Sequence, residues 1–535
     1  MKKRRYLPII LIETYLIVSY LMYRFGCYIW PFRSDNRTFF FMIFVIIAFG
    51  IGYVLAIKRC TKVDEQKRNK FVTISCEKIL IICCLISFVI FVPMCISYTN
   101  SWYPPIVKAL TDPKGVYYAL AEVAKNRTGI RIWGLLDVFP YMVLPLVLYG
   151  WEKISVKTKC VAITLSIGYL MIYISSGRNI SVAVQMLSVV AAWFSVLFGE
   201  KTDFYRKNVI RTSVLALVYC VIVVFFFNLT ISSRSGYNKD VALELEQISN
   251  ENFSMNKTET DTTDVEINGT KNELNLEDNI MEANQEVNEK VIDEFAIIAK
   301  DWDAEAMGQH LGVGTYEYNG LEITQEQYEK FKQVYKVFPN YTDIWSKAYV
   351  DSDSILMRNL PSGLKNLYVI ATGYITNGYN CLTVALYTEH EWTYGIGHSA
   401  FLSSYVDAFL GTDSSQKTYY NRLTNDEAYP LVSKSFWPSM FVQLADDLTF
   451  PGVIIFMVIA GFVIAKVWMS IINCGNFWGV VLLGQLELWA LFLPANNILE
   501  NSGGFFVTFW VSFLAWVVTQ IPARKGIRKS EEANL

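Results

Sequence analysis

Ten stretches of roughly 20 apolar residues run through this chain. Seven precede residue 232, at about 7–24, 38–57, 79–98, 132–150, 160–176, 180–198 and 211–231. Three follow residue 449, at about 450–472, 477–495 and 503–521. A helix needs about 20 apolar residues to cross a bilayer, and in lipid every backbone N–H and C=O must be bonded inside the protein. The stretches are therefore predicted as transmembrane helices and the chain as an all-α integral membrane protein. Composition agrees. Of 535 residues, 53 % are hydrophobic and only 18 % charged, against roughly 25 % charged in an average soluble domain. The N-terminal apolar run is too long for a secretory signal and lacks a small-residue cleavage site, so it is read as the first helix.

Basic residues set the orientation, because Lys and Arg in short loops stay on the cytoplasmic side. They cluster at Lys2–Arg5, in the stretch KRCTKVDEQKRNK, at Lys153, Lys157 and Lys159, at Lys201, Arg206, Lys207 and Arg211, and in the C-terminal tail. Every alternate connection is basic. Ten crossings with both termini cytoplasmic satisfy this pattern. The net charge of −2 conceals an acidic insert. Residues 238–294 hold 16 Asp and Glu against 4 Lys, or −12, which leaves +10 for the rest. Neither the charge nor the pI near 6.1 gives a nucleic-acid footprint. The 10 cysteines fall mostly in apolar runs or beside cytoplasmic charge, which favours buried thiols over disulfides or a zinc site.

The orientation leaves residues 232–449, about 218 of them, as one extracytoplasmic connection, and a connection that long is usually functional. Residues 238–294 read as disordered from composition. Residues 295–449 read as folded, aromatic-rich and partly interfacial. Within them LYVIATGYITNGYNCLTVALY, 367–387, is apolar enough to cross the membrane. A lone extra crossing would break the charge pattern. It is read as a helix or re-entrant element at the outer face, which gives about 10–12 helices in all.

Arg178, in ISSGRNIS, and Arg234, in ISSRSGYN, sit at outer turns with serines and glycine around them. A guanidinium matches a phosphate in bidentate fashion, and the two turns together make a clamp for an anionic headgroup, against snorkelling arginines as the plainer reading. All three histidines lie in the large connection. Glu391, His398 and Asp407 are candidates for a general base there. Tyr379, Trp392 and Tyr394 are candidate sugar-stacking side chains, against an interfacial aromatic belt. Asp446 and Asp447 are read as capping the helix that follows. No metal site is expected: the DxD pairs at Asp301/Asp303 and Asp351/Asp353 sit in an acidic region, and HEW is not HExxH. No phosphate loop, dinucleotide fingerprint or GxSxG elbow occurs, so no cofactor is expected.

The string TGYITNGYNCLTVALYTEHEWTYGIGHSAFL, with many spans, outer arginines and one large outer connection, resembles the Wzy-type O-antigen and capsule repeat-unit polymerases. Thr393, Tyr394, Gly395 and Gly397 match the family's "TYG-G" stretch, and Arg178 and Arg234 match its outer-loop arginines. The resemblance is specific over only about thirty residues, and the acidic insert has no counterpart in it. It implies a GT-C-like fold and a glycosyltransferase using an undecaprenyl-pyrophosphate-linked oligosaccharide. It further implies a bacterial inner membrane as the location, with membrane lipids and a chain-length regulator as partners. Arg178 and Arg234 would hold the pyrophosphate. The alternatives are an O-antigen ligase-type transferase, a lipid-linked oligosaccharide flippase and an acyltransferase. The last would need a histidine inside a span, where none is predicted.

Overall fold

The computed structural model describes residues 2–29, 36–59, 76–112, 115–116, 132–151, 154–176, 179–198, 315–318, 321–324, 349–350, 354–424 and 437–520, with 213, 217, 219 and 221. Helices dominate: α1 (Leu7–Phe25), α2 (Asn36–Arg59), α3 (Cys76–Thr99), α4 (Ile106–Thr111), α5 (Ile132–Leu135), α6 (Val138–Tyr149), α7 (Val156–Ser175) and α8 (Asn179–Phe198). After them come α9 (Ile355–Asn359), α10 (Ser362–Ala385), α11 (Ala400–Leu410), α12 (Tyr419–Thr424), α13 (Met440–Cys474), α14 (Phe477–Phe492) and α15 (Gly503–Gln520). Among the described residues, two small antiparallel pairings accompany them. Tyr28–Ile29 pairs with Tyr349–Val350, and Thr315–Tyr318 pairs with Leu321–Thr324.

The chain divides into two compact units. One comprises residues 1–112, 116–224 and 348–535, and the other 113–115 and 225–347. The second unit contributes the hairpin at 315–324 to the described residues. The acidic insert and most of the predicted span 211–231 lie outside them.

Among the described residues, seven helices are long and apolar enough to cross a membrane: the N-terminal one (Arg4–Phe25), α2, α3, α7, α8, α13 and α15. The predicted spans at 132–150 and 477–495 are shorter apolar helices, Trp133–Tyr149 and Phe477–Phe492. The segment predicted at 367–387 is helical. It falls short on hydropathy because it carries Thr372, Thr376, Asn377, Asn380 and Thr383, all buried. Such polar groups would be costly against lipid. Here they face protein: Thr383 meets Tyr23 and Thr38, and Tyr379 meets Ser19.

Side-chain caps set several helix starts. Ser155, Ser399, Ser439 and Asn476 each accept from a backbone N–H of the first turn, satisfying donors with no partner inside the helix. At Gly411 and Gly475 the backbone turns left-handed, with φ 67° and 60°, and closes the helix before it. α13 is broken at Thr449, with φ 61° and ψ 164°, two residues before Pro451. The sequence places a helix start at 450. The helix instead starts at Met440, capped by Ser439, and the break separates Met440–Leu448 from the longer apolar part. Asp446 and Asp447 thus end a helical segment and do not cap the next one.

One end of the bundle gathers the basic N-terminus. The Arg4 carbonyl accepts from Trp468 Nε1 at 3.0 Å and the Arg5 carbonyl from Tyr53 at 2.7 Å. Glu77 accepts from the Ser155 N–H there, and Asn476 donates to Thr519. A core cluster including Leu80, Leu146, Phe477 and Val481 fills the space between α3, α6 and α14. The opposite end carries Asp137, bonded by Tyr98 and Tyr173, together with His398 and Asp447. α2 and α13 approach through glycines. An added Cβ at Gly52 would overlap the carbonyl oxygen of Val458, and one at Gly461 that of Phe49.

Candidate active site

At the end away from the basic N-terminus, the turn Glu389–Ser399 folds over the Thr449 break. Tyr394 and Gly395 both have positive φ, 60° and 77°. For tyrosine this costs roughly 1 kcal/mol, and such strain concentrates at functional turns. The turn aims its backbone at Asp447. Its Gly397 and His398 N–H groups donate to the two Asp447 oxygens at 3.2 and 2.8 Å, and the Thr393 hydroxyl donates to Oδ1. A carboxylate at the C-terminal end of a helical segment is disfavoured by the helix dipole. These donors offset that cost. Its neighbour Asp446 accepts from the Tyr419 N–H at 2.7 Å, and the Asp446 carbonyl is met by Thr393 and His390.

Asp447 also receives His398. Nδ1 lies 2.7 Å from Oδ2, which assigns the ring proton to Nδ1 and leaves Nε2 as the acceptor. Nothing among the described residues hydrogen-bonds Nε2. Burial pulls the imidazole pKa down. The Asp447 hydrogen bond and charge, with the Glu500 charge, more than offset it, so the pKa lies above the ordinary 6.5. The side chain is 26 % exposed.

His398 and Asp447 line a cavity of about 500 Å³ between α13, α14 and α15. Its polar end also holds Asn497 and Glu500, and Phe456, Val463, Leu486 and Phe513 make its apolar wall. Glu500 is buried, and burial raises its pKa against the lowering effects of the His398 charge and of hydrogen bonds from Trp510 and Ser399.

The other sequence candidates fall in different places. Glu391 lies on the surface in an ion pair with Arg422 at 3.0 Å. Asp407 is occupied: Thr412 donates to it, as do the Ser414 N–H and hydroxyl and the Ser415 N–H. Burial works against these bonds, yet they hold its pKa well below the usual carboxylate range. Trp392 is exposed and lines the cavity. Tyr394 is exposed beside it, with Lys417 Nζ 3.2 Å from its hydroxyl and 5.0 Å from its ring centre. Tyr379 has no open face for a sugar, because it is fully buried against Tyr20 and Tyr23. Arg178 and Arg234 lie outside the described residues. Among the described residues no cluster of His, Cys, Asp and Glu has the arrangement to hold a metal ion.

Sequence reasoning missed Asp447 as the partner of His398, and missed Asn497 and Glu500 altogether. Their one signal was the polar turn NNILENS between two apolar helices. No protein family, no curated protein and no solved structure matches the chain.

Proposed function

We propose that this protein is a repeat-unit polymerase: a membrane glycosyltransferase that moves a glycan from undecaprenyl pyrophosphate onto the terminal sugar of a second lipid-linked unit. The observation that carries the reading is the His398–Asp447 pair, which lines a cavity walled mostly by apolar side chains together with Asn497 and Glu500. Such a cavity, walled by apolar helices, suits a substrate with a sugar head and a lipid tail.

In this mechanism Nε2 takes the proton of the acceptor hydroxyl while Asp447 stabilises the imidazolium. The acceptor oxygen forms a bond to the anomeric carbon, and the bond from that carbon to the pyrophosphate oxygen breaks. Negative charge collects on the departing lipid pyrophosphate, where Arg178 and Arg234 are the proposed cations. Trp392 and Tyr394 offer flat faces to the sugars. The basic end of the bundle is assigned to the cytoplasm and the His398 end to the outside, in agreement with the positive-inside rule. A chain-length regulator is a proposed partner.

The test is reconstitution in liposomes with undecaprenyl-pyrophosphate-linked repeat units, with His398→Ala and Arg178→Ala proteins alongside. A ladder spaced by one repeat unit, lost in both variants, is expected. A folded protein that makes no ladder on its native substrate overturns the reading. Transfer to a different acceptor would then indicate a ligase, and movement of the lipid across the bilayer a flippase.

A further inference from the structure

A second cavity, of about 230 Å³, lies between α1, α8, α13 and α14, nearer the basic end of the bundle. Leu11, Leu187, Val190 and Phe194 are among its apolar walls. Two of its polar side chains already have partners. The Tyr15 hydroxyl donates to the Leu491 carbonyl at 2.6 Å, and Trp468 Nε1 donates to the Arg4 carbonyl at 3.0 Å. The third is Glu487, and no Lys or Arg lines the cavity among the described residues. A phosphate would meet a carboxyl and no cation there, whereas a hydrocarbon chain would meet apolar walls.

Ile464 of α13 and Leu486 of α14 line this inner cavity and the His398–Asp447 cavity alike, and they are the only residues common to both. Each is buried and aliphatic, and a change of rotamer can move it. From Phe456 in the outer cavity to Trp468 in the inner one, the two follow α13 for about 18 Å, at about 1.5 Å per residue. That is more than half of a hydrocarbon core about 30 Å thick. An apolar space left unfilled also forfeits the contacts of its walls.

We infer that the two cavities are one track for a single isoprenoid chain, which passes between Ile464 and Leu486, and that these two side chains gate how much chain the protein holds. On the polymerase reading, on which the identity of the chain rests, it is the tail of the lipid-linked substrate. The pyrophosphate stays on the outer side of the gate, and the far end of the chain lies on the inner side.

Geranyl, geranylgeranyl and hexaprenyl pyrophosphates, each with a diazirine at the far end of the chain, are photolysed on the full-length protein in nanodiscs. Labelled peptides are read by mass spectrometry. The label is expected to move with chain length. The geranyl probe marks the outer wall at Phe456 and Ile459, and the longer probes mark α1 and α8 around Leu11, Leu187 and Phe194. Ile464→Trp is expected to abolish the α1 and α8 label of the longer probes and to keep the geranyl label, which also shows that the variant is folded. The movement of the label in the wild type decides the matter even if the variant does not fold. Long probes that mark only α15 or lipid overturn the inference, as does an absence of label from every probe. So does a longer-probe label on α1 and α8 that a folded Ile464→Trp protein retains. The experiment reads position and not transfer. Label in the inner cavity without a polymer ladder keeps the track and sinks the polymerase, and a ladder with label elsewhere does the reverse.

Discussion

His398 Nδ1 and Asp447 Oδ2 meet at 2.7 Å across 49 residues of sequence, and the backbone N–H of His398 reaches the same oxygen at 2.8 Å. The carboxylate thus holds the imidazole by ring and by backbone at once. That double hold fixes the tautomer and leaves Nε2 as the nitrogen that can accept a proton. Loss of the imidazole in His398→Ala is expected to lower turnover by about 10²–10⁴-fold, the usual range for a general base. Asp447→Asn is expected to lose turnover with less effect on KM, because the pair acts on proton transfer. Steady-state rates in proteoliposomes check both.

The pH dependence has a defined sign. A base works in its neutral form, and His398 has a pKa raised above 6.5. The acid limb of kcat/KM is therefore expected above pH 6.5, rising with pH. Asp447→Asn removes the charge beside the ring that favours imidazolium and leaves burial opposed chiefly by the Glu500 charge, so the limb moves to lower pH. Stability runs the other way. A raised folded-state pKa means the pair stabilises the fold fully below the unfolded value and loses this as pH rises through the folded one. The melting temperatures of wild type and His398→Gln are expected to converge as pH rises through that range.

Asp407 is expected to be structural. Its oxygens are taken by Thr412, Ser414 and Ser415, and its pKa is held low. Asp407→Asn is expected to leave the product ladder intact while making the 411–418 turn more sensitive to limited proteolysis. The stabilisation is present above pH 3.8 and is lost as pH falls through the lowered pKa. A variant with an intact turn and no ladder would return Asp407 to the chemistry.

The contact between α2 and α13 depends on two glycines. Gly52 and Gly461 each place bare backbone against the other helix, where a Cβ would overlap a carbonyl oxygen. Small residues let membrane helices approach this closely. Gly52→Leu or Gly461→Leu is expected to lower the thermal midpoint in detergent and the yield of monodisperse protein. Gly50→Ala is the milder control, since an added Cβ there meets only the end of the Glu13 side chain.

The long apolar runs of this chain determined by themselves that it is helical and membrane-embedded, because lipid admits few other ways to satisfy a backbone. His398 was legible as a candidate because the sequence has only three histidines, and Trp392 only as one of many aromatics in the same region. The sequence did not show that 362–385 is a protein-facing helix, since its buried threonines and asparagines take their meaning from Ser19, Tyr23 and Thr38, which lie far away in the chain. Nor did it show which carboxylate serves His398. Glu391 and Asp407 lie nearer in sequence, yet one pairs with Arg422 and the other is filled by its own turn. Asp447 was chosen by the break at Thr449 and the left-handed turn at Tyr394–Gly395, and Glu500 by the connection that brings α15 against the same cavity. Hydropathy is a property of single residues and their neighbours, whereas a hydrogen bond across 49 or 99 positions exists only once the helices have packed.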